Sequence, residues 1–381
     1  MPSACTNPID VVCPLTQKVL AKVPQTTEAE FNAAVQAAKD AFPGWAATPI
    51  SQRVRCMLKY QALLKEHSGE LAKAVSAEHG KTHADAAGDV FRGYEVVEHA
   101  CSFGSLAMGE TVQNVATGVD IQSYRVPLGV CAGIAPFNFP AMVPLWMYPL
   151  AITLGNTYVL KPSEKVPGTA VMLVDLLKES GVPDGVLNVV HGGPDTVTRV
   201  CTHPDIKAVS FVGANTAGEY IYKTASQTGK RCQANMGAKN HAVVMPDADK
   251  EDTLNALVGA CYGSTGQRCM AIAVVVLVGD AGQWVPDLVA KSKALTVGPA
   301  HENPDVAPLQ SRAGLERALE LIADGAKTAD LLLDGRGVKV EGYPDGNWLG
   351  PTVIDNAKPG MRCYDEEIFG PAMVIVRAKD L

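Results

Sequence analysis

The chain has 381 residues, 47% of them hydrophobic and 19% charged, with a net charge of −7. That length exceeds what one hydrophobic core usually organises, so two domains are expected. The acidic balance, without a basic run or aromatic–basic interleaving, argues against a nucleic-acid partner. Residues 1–25, with Pro2, Pro8, Pro14 and Pro24, read as irregular. Met1 to Asp10 carries no positive charge and no apolar run follows, so it does not read as a signal peptide. The first arginine is Arg53, which leaves no visible Arg-rich transit peptide.

Thr27-Glu28-Ala29-Glu30 has the form of a capping box, and the apolar period from Phe31 to Phe42 predicts a helix that Pro43-Gly44 ends. Further helices are predicted over 51–65, 68–78 and 91–106. Residues 108–126 alternate around Gly118 and predict a hairpin arm. The apolar run from Phe139 to Leu154 is short for a membrane span and is broken by Pro140, Pro144 and Pro149, so no membrane partner is expected.

From Pro127 the pattern is strand–helix–strand. Strands are predicted at 130–134, 156–160, 186–190 and 208–212, with helices over 168–179 and 216–226. The alternation predicts an α/β fold with a doubly wound parallel sheet, whose ligands sit at the carboxyl ends of the strands. No GxGxxG is present, so both a nucleotide-binding layer and a plain structural layer stay open.

The stretch from Gly259 to Met270 carries the most chemistry. A helix ends near Gly263, a loop holds Gly266, Arg268 and Cys269, and 271–278 reads as a buried strand. A cysteine on such a loop is a candidate nucleophile, and Arg268 beside it would lower its pKa. An inert packed thiol is the alternative. The ten cysteines show no CxxC pair or metal-ligand spacing, which suggests a reducing compartment and no metal. Asn138, in Phe137-Asn138-Phe139-Pro140, is either an oxyanion donor or a loop brace. Lys161-Pro162-Ser163-Glu164 offers a carboxylate for ribose hydroxyls that would repel a 2′-phosphate, or else a solvated ion pair. Glu366-Glu367-Ile368-Phe369-Gly370-Pro371 places acids before an aromatic turn.

Taken in order, FNFP at 137–140, KPSE at 161–164, FVGA at 211–214, GQRC at 266–269 and EEIFGP at 366–371 resemble the aldehyde dehydrogenase superfamily. The resemblance runs from about residue 10 to the last residue. It implies an NAD-binding domain over 1–236, with 108–126 as a bridging hairpin, and a catalytic domain over 237–381. It implies Cys269 as nucleophile and Asn138 as oxyanion donor. Ala135, Phe137, Lys161, Glu164, Lys165, Gly213, Ala214 and Glu367 are the implied cofactor contacts, with the helix after Gly213 turning its N-terminus to the pyrophosphate. A homotetramer is implied for the intact family.

Two departures stand out. Where the family has Glu-Leu-Gly-Gly-Lys, this chain has Asn235-Met236-Gly237-Ala238-Lys239. The glutamate is the base for thioester hydrolysis, and Asn235 cannot take that proton. A thiol, with a pKa of about 8.5 against 15.7 for water, needs far less help, so coenzyme A becomes the expected acyl acceptor. Segments 233–241 and 129–142 resemble the CoA-acylating methylmalonate-semialdehyde dehydrogenase branch. That branch implies oxidation of malonate or methylmalonate semialdehyde with NAD to an acyl-CoA and carbon dioxide, in valine or pyrimidine catabolism. Arg268 and Arg92 are the implied clamp for the substrate carboxylate; a helix-surface ion pair is the alternative for Arg92. A mitochondrial location is implied for a eukaryotic source, and a cytoplasmic one otherwise.

The second departure is length. The family continues well past EEIFGP, so a C-terminally truncated chain is expected, with residues 372–376 as an unpaired strand edge and the first family hairpin lacking. A catalytically inactive relative and an ordinary hydrolytic aldehyde dehydrogenase are the other functional readings.

Overall fold

The computed structural model describes residues 4–5 and 7–380. The expectations for residues 1–3, 6 and 381 lie outside them. The chain packs as two compact units, the first containing Ala21–Ala74 and Ala87–Met236, the second Val12–Leu20, Val75–Ala86 and the chain from Gly237 on. Two short stretches before residue 237 therefore belong to the second unit.

The first unit is built on a five-stranded parallel sheet: β1 (Val130–Ile134), β2 (Thr157–Lys161), β3 (Leu187–Val189), β4 (Ile206–Val212) and β5 (Arg231–Asn235). Their spatial order is β3-β2-β1-β4-β5. The chain winds one way from β1 to β3 and the other way from β4 to β5, so the direction reverses between β1 and β4. β1 and β2 are buried along their whole length, as continuous apolar runs in a sheet covered on both faces require. The core gathers Phe31, Val35, Val130, Val159, Val209, Phe211 and Ile221. Each such buried side chain contributes about 1.5–3 kcal/mol against exposure.

The helix opened by Thr27 spans Glu28–Ala47 and carries the full capping box. It does not stop at Pro43, because the turn beyond is anchored by tertiary contacts. The Trp45 indole N–H donates to the buried Ile152 carbonyl at 2.8 Å. The helices Ile50–Glu66 and Ser68–His79 follow closely the predicted ones. The next helix is His83–Cys101, starting earlier than predicted, because Thr82 Oγ1 accepts the Asp85 N–H at 3.1 Å. A helix over Pro194–Thr202 was not anticipated. The arm is a two-stranded antiparallel hairpin, Thr111–Ala116 with Val119–Gln122, exposed throughout and turning at Gly118.

The described residues near the start are not irregular throughout. Ile9–Val12 and Val19–Val23 form a two-stranded sheet. Its turn uses Gln17 at φ 56°, with Cys13 N–H donating to the Lys18 carbonyl at 2.9 Å. A turn without Gly or Asn leaves little trace in sequence.

The second unit holds β6 (Asn240–Val244), β7 (Ile272–Val278), β8 (Asp330–Leu333), β9 (Thr352–Asp355) and β10 (Ala372–Ala378), in the order β6-β7-β10-β9-β8. All pairs are parallel except β8 with β9. β10 is central. It pairs with β7 on one side and β9 on the other, which corrects the expectation of an unpaired edge at 372–376. The Arg377 guanidinium also reaches the buried Asp355 carboxylate of β9, with Nη2–Oδ2 at 2.5 Å. No helix among the described residues is long and apolar enough to cross a membrane.

Thr27→Ala removes the side-chain half of the capping box, the Oγ1 that accepts the Glu30 N–H, and leaves the backbone N–H of residue 27 to donate to Glu30. It should lower stability by about 0.5–2 kcal/mol in urea denaturation with an unchanged slope.

Candidate active site

In the first unit, the candidate residues fall at the carboxyl ends of the strands. Ala135 and Phe137 follow β1, and the Ala135 N–H donates to the Lys161 carbonyl at 3.0 Å. The buried Lys161 ammonium donates to the Pro162 carbonyl at 2.9 Å and to Glu164 Oε2 at 3.2 Å. Burial raises the Glu164 pKa, but Lys161 and local hydrogen bonds outweigh it and leave the carboxyl below its usual value. Lys165 lies over the Phe137 ring, 4.8 Å from its centroid, and burial lowers its pKa. His191 near Lys161 is driven down to about 4, first by burial and then by that cation, so it is neutral at pH 7. Asn138 is buried.

Gly213 and Ala214 follow β4. The Gly213 N–H donates to the Asn235 carbonyl at 3.1 Å, and a Cβ at Gly213 would press within 2.5 Å of the Phe211 ring. The helix Asn215–Gln227 then starts at Ala214 without a side-chain cap. An uncapped helix start of this kind can present its first N–H groups to an anion. The strand ends thus offer a carboxylate on a lysine and an uncapped helix start, a donor set that fits a dinucleotide. Asn235 ends β5 and lines a cavity of about 390 Å³ with Trp146, Met147, Ser210, Phe211 and Gln233. No Asp, Glu, His, Lys or Arg is among the described residues that line it. Arg92 is exposed and pairs with Glu95, one turn on, at 3.1 Å.

In the second unit, the loop between the helix Lys250–Tyr262 and β7 runs through a left-handed turn. Ser264, Thr265 and Gly266 have φ of 51°, 57° and 68°. Such a run costs about 1–3 kcal/mol per non-glycine residue and persists only where its surroundings over-determine it. Here they do. The Ser264 N–H donates to Asp85 Oδ2 at 3.0 Å, the Thr265 hydroxyl to the Ala307 carbonyl at 2.8 Å, and the Gln310 N–H to Gln267 Oε1 at 3.1 Å. Gly266 backs directly onto Gly370 of the EEIFGP turn, where a Cβ would fall 2.2 Å from the carbonyl oxygen. Beyond Cys269, the Asn240 side-chain amide donates to the Cys269 and Ala271 carbonyls at 2.8 and 3.0 Å.

Arg268 does not act on the thiol as expected. Its Nη2 is held by Asp85 Oδ1 at 2.5 Å, and its guanidinium lies against Gly263. The half-buried Cys269 thiol has a raised pKa. Burial is the main cause and Glu367 adds to it, while the Cys269 and Met270 N–H groups work the other way. Burial also raises Glu367, which the Ala238 N–H partly offsets. Gly266, Arg268 and Glu367 line one small pocket with Ala238 and Cys261. Burial pushes Cys261 up to about 12, so it is inert.

The second unit therefore gathers Cys269, Arg268 and Glu367, and the first gathers Lys161, Glu164, Lys165 and Phe137 near Ala135. Sequence reasoning missed Asp85, which fixes both Ser264 and Arg268. Its only trace was the Thr82-x-x-Asp85 helix start. It also passed over Lys239, whose ammonium donates to the Cys363 carbonyl at 2.8 Å and to the Glu366 carbonyl at 2.6 Å.

The pattern of the aldehyde dehydrogenase family matches residues 2–381. The chain belongs to the aldehyde dehydrogenase family. Within it, the chain is 56% identical to the rat acylating methylmalonate-semialdehyde/malonate-semialdehyde dehydrogenase, named as mitochondrial, over 98% of this chain and 70% of that one. Two solved family members are similar in fold. The methylmalonate-semialdehyde dehydrogenase of Oceanimonas doudoroffii superposes with a TM-score of 0.98 at 43% identity, covering 100% of this chain and 79% of that one. A Sinorhizobium meliloti protein assigned the same activity and solved with NAD superposes with a TM-score of 0.97 at 42% identity, covering 100% and 78%. The expected family and α/β fold are thus borne out.

Because the thiolate is the reactive form and the Cys269 pKa is raised, alkylation by iodoacetamide should be slow at pH 7. It should climb with pH to a midpoint above about 8.5, the free-thiol value. Glu367→Gln should move that midpoint down, and Cys261 should stay unmodified. Mass spectrometry of the two peptides reads all three; a midpoint below pH 7 would contradict the geometry.

Proposed function

We propose that the chain is an NAD-dependent, CoA-acylating dehydrogenase of malonate or methylmalonate semialdehyde. The observation that carries this reading is Asn235. It occupies the family's base position and faces a cavity whose described lining has no titratable side chain. Water has no base there, whereas a thiol co-substrate needs little help. The names of the rat and Oceanimonas relatives support the same reaction class.

Each residue then has a role. The Cys269 thiolate adds to the aldehyde carbon, and Asn138 with the Cys269 N–H holds the resulting oxyanion. Bound NAD would supply the hydride acceptor for the oxidation of this adduct to a thioester. Lys161 and Glu164 would hold the adenosine ribose, and Glu367 would hold the nicotinamide ribose. Ala135, Phe137, Lys165, Gly213 and Ala214 complete the cofactor contacts. The malonyl-type thioester loses carbon dioxide, its electron pair passes into the enolate, and a proton replaces it. The CoA thiolate attacks the acyl carbon and Cys269 leaves as thiolate.

Arg268, tied by one nitrogen to Asp85, keeps guanidinium donors for the substrate carboxylate, and Arg92 would have to leave Glu95 to join it. On this proposal residues 1–236 form the NAD-binding domain, which also lends Asn138 to the chemistry, and 237–381 the catalytic domain, which also lends Glu367 to the cofactor. The exposed Val112, Val115, Val119 and Ile121 of the arm would carry assembly into a tetramer. The compartment would be mitochondrial in a eukaryote and cytoplasmic otherwise.

The deciding experiment is deacylation. Without CoA, one burst of NADH per active site should be followed by slow turnover, and CoA should restore the rate. Asn235→Glu should speed CoA-independent hydrolysis by up to about 10²–10⁴-fold, the range of a positioned general base. Rapid steady turnover without CoA would favour a hydrolytic aldehyde dehydrogenase instead.

The carboxylate clamp has its own check. Arg268→Leu and Arg92→Leu should raise KM for malonate semialdehyde about tenfold or more, as for loss of a charge-assisted hydrogen bond, with a smaller effect on propanal. Equal effects on both aldehydes would remove the clamp.

A further inference from the structure

Lys239 lies four residues past Asn235, at the head of the second unit. A lysine here is costly: burial pushes it down to about 8, although the groups around it are acids and thiols, namely Cys363, Glu367, Cys261 and Asp365. Its ammonium is spent on backbone. Nζ donates to the Cys363 carbonyl at 2.8 Å and to the Glu366 carbonyl at 2.6 Å. These carbonyls belong to the helix Arg362–Asp365 and the residue after it. A helix end leaves its last carbonyls without intrahelical donors, and a lysine is a suitable partner for them.

The residue before Lys239 grips the next position: the Ala238 N–H bonds to the Glu367 carboxylate. Residues 238 and 239 thus hold residues 366 and 367 side by side, one by the backbone and one by the side chain. The other ties on this turn face outward. Arg317 Nη2 reaches Glu366 Oε2 at 3.2 Å and the Glu367 carbonyl at 3.3 Å, and Arg362 Nε reaches Glu366 Oε1 at 2.6 Å. All are exposed, where solvent screens such pairs. The inner grip is the more sheltered one, and it holds both the turn and the Glu367 carboxylate.

We propose that Lys239 is a positioning residue for the cofactor: it fastens the 363–366 turn so that the Glu367 carboxylate is presented to the nicotinamide ribose. This rests on the reading of Glu367 as the ribose contact. An apolar residue of the same length would fill the space without fixing the carbonyls, and the carboxylate would then have to be ordered when NAD arrives. That ordering cost falls on NAD affinity and not on ligands that lack the nicotinamide ribose.

The test measures NAD and ADP binding to the full chain by calorimetry, so it does not depend on turnover. Lys239→Met should raise the NAD Kd about tenfold, the loss expected for hydrogen bonds from a charged donor, and leave the ADP Kd within about twofold. Glu367→Gln should weaken NAD similarly. In the Glu367→Gln background Lys239→Met should add nothing, because the group it positions is gone. Lys239→Arg, which keeps a cationic donor, should recover most of the affinity.

If Lys239→Met does not fold, Lys239→Gln, which keeps a donor and much of the bulk, is read in the same cycle and should show a smaller loss that also vanishes beside Glu367→Gln. A loss with Glu367→Gln but none with either Lys239 variant overturns the inference and leaves the ribose reading standing. No loss with Glu367→Gln, or no NAD binding by the parent chain, overturns both. Equal losses for NAD and ADP, or additive losses in the double variant, mean general structural damage and also overturn it.

Discussion

The second unit depends on one close approach, the backbone of Gly266 against the carbonyl of Gly370. No side chain fits between them, and the φ of 68° at Gly266 independently favours glycine. The contact holds the Cys269 loop directly against the EEIFGP turn. From it follow the strained turn at 264–266, the direction in which Cys269 leaves that turn, and the placing of Glu367 near the thiol. Asp85, Thr265 and Gln267 then supply the hydrogen bonds that keep the turn from relaxing. The raised thiol pKa is a result of the same geometry, since the loop buries Cys269 beside a carboxylate while Asp85 holds the neighbouring arginine.

The first unit is governed by a different constraint, the reversal of winding between β1 and β4. Neighbouring strands at such a point send their connections to opposite faces, which opens a crevice at their carboxyl ends. The loop after β1 carries Phe137 and Asn138, and the turn after β4 carries Gly213 and Ala214. β5 runs beside β4 and brings Asn235 to Gly213 through a backbone hydrogen bond, so a substitution at 235 changes the chemistry of that end without disturbing the sheet.

Much of this was legible in the sequence because it rests on local signals. The strand at 130–134 was read to the residue, being a pure apolar run between a glycine and a proline. The Thr27 capping box fixed its helix start. The motifs placed Cys269, Lys161, Glu164 and Glu367 on strand ends and loops. What sequence did not show depends on partners far along the chain. Pro43 was read as a stop, but Trp45 is anchored by Ile152. Arg268 was read as the activator of Cys269, but Asp85, far earlier in the chain, takes its charge. The hairpin turn at Gln17 has no glycine to announce it. The strand at 372–376 was read as an unpaired edge because the family continues well past it, but β7 and β9, from segments that no local pattern connects, pair with it on both sides.

That last strand has a consequence for the order in which the molecule can be built. In the first unit the sheet is complete once Asn235 has left the ribosome. In the second, β7 and β9 do not touch each other; each pairs with β10, the latest strand of the sheet in sequence. The loop that bears Cys269 therefore emerges long before the strand that pairs with its own β7. Closing so long a loop is entropically costly and slow. During that interval the apolar β7, with its run of valines, stands as a half-paired edge that can join another chain. Folding of the second unit thus waits on β10, and crowding among nascent chains bears on this unit more than on the first.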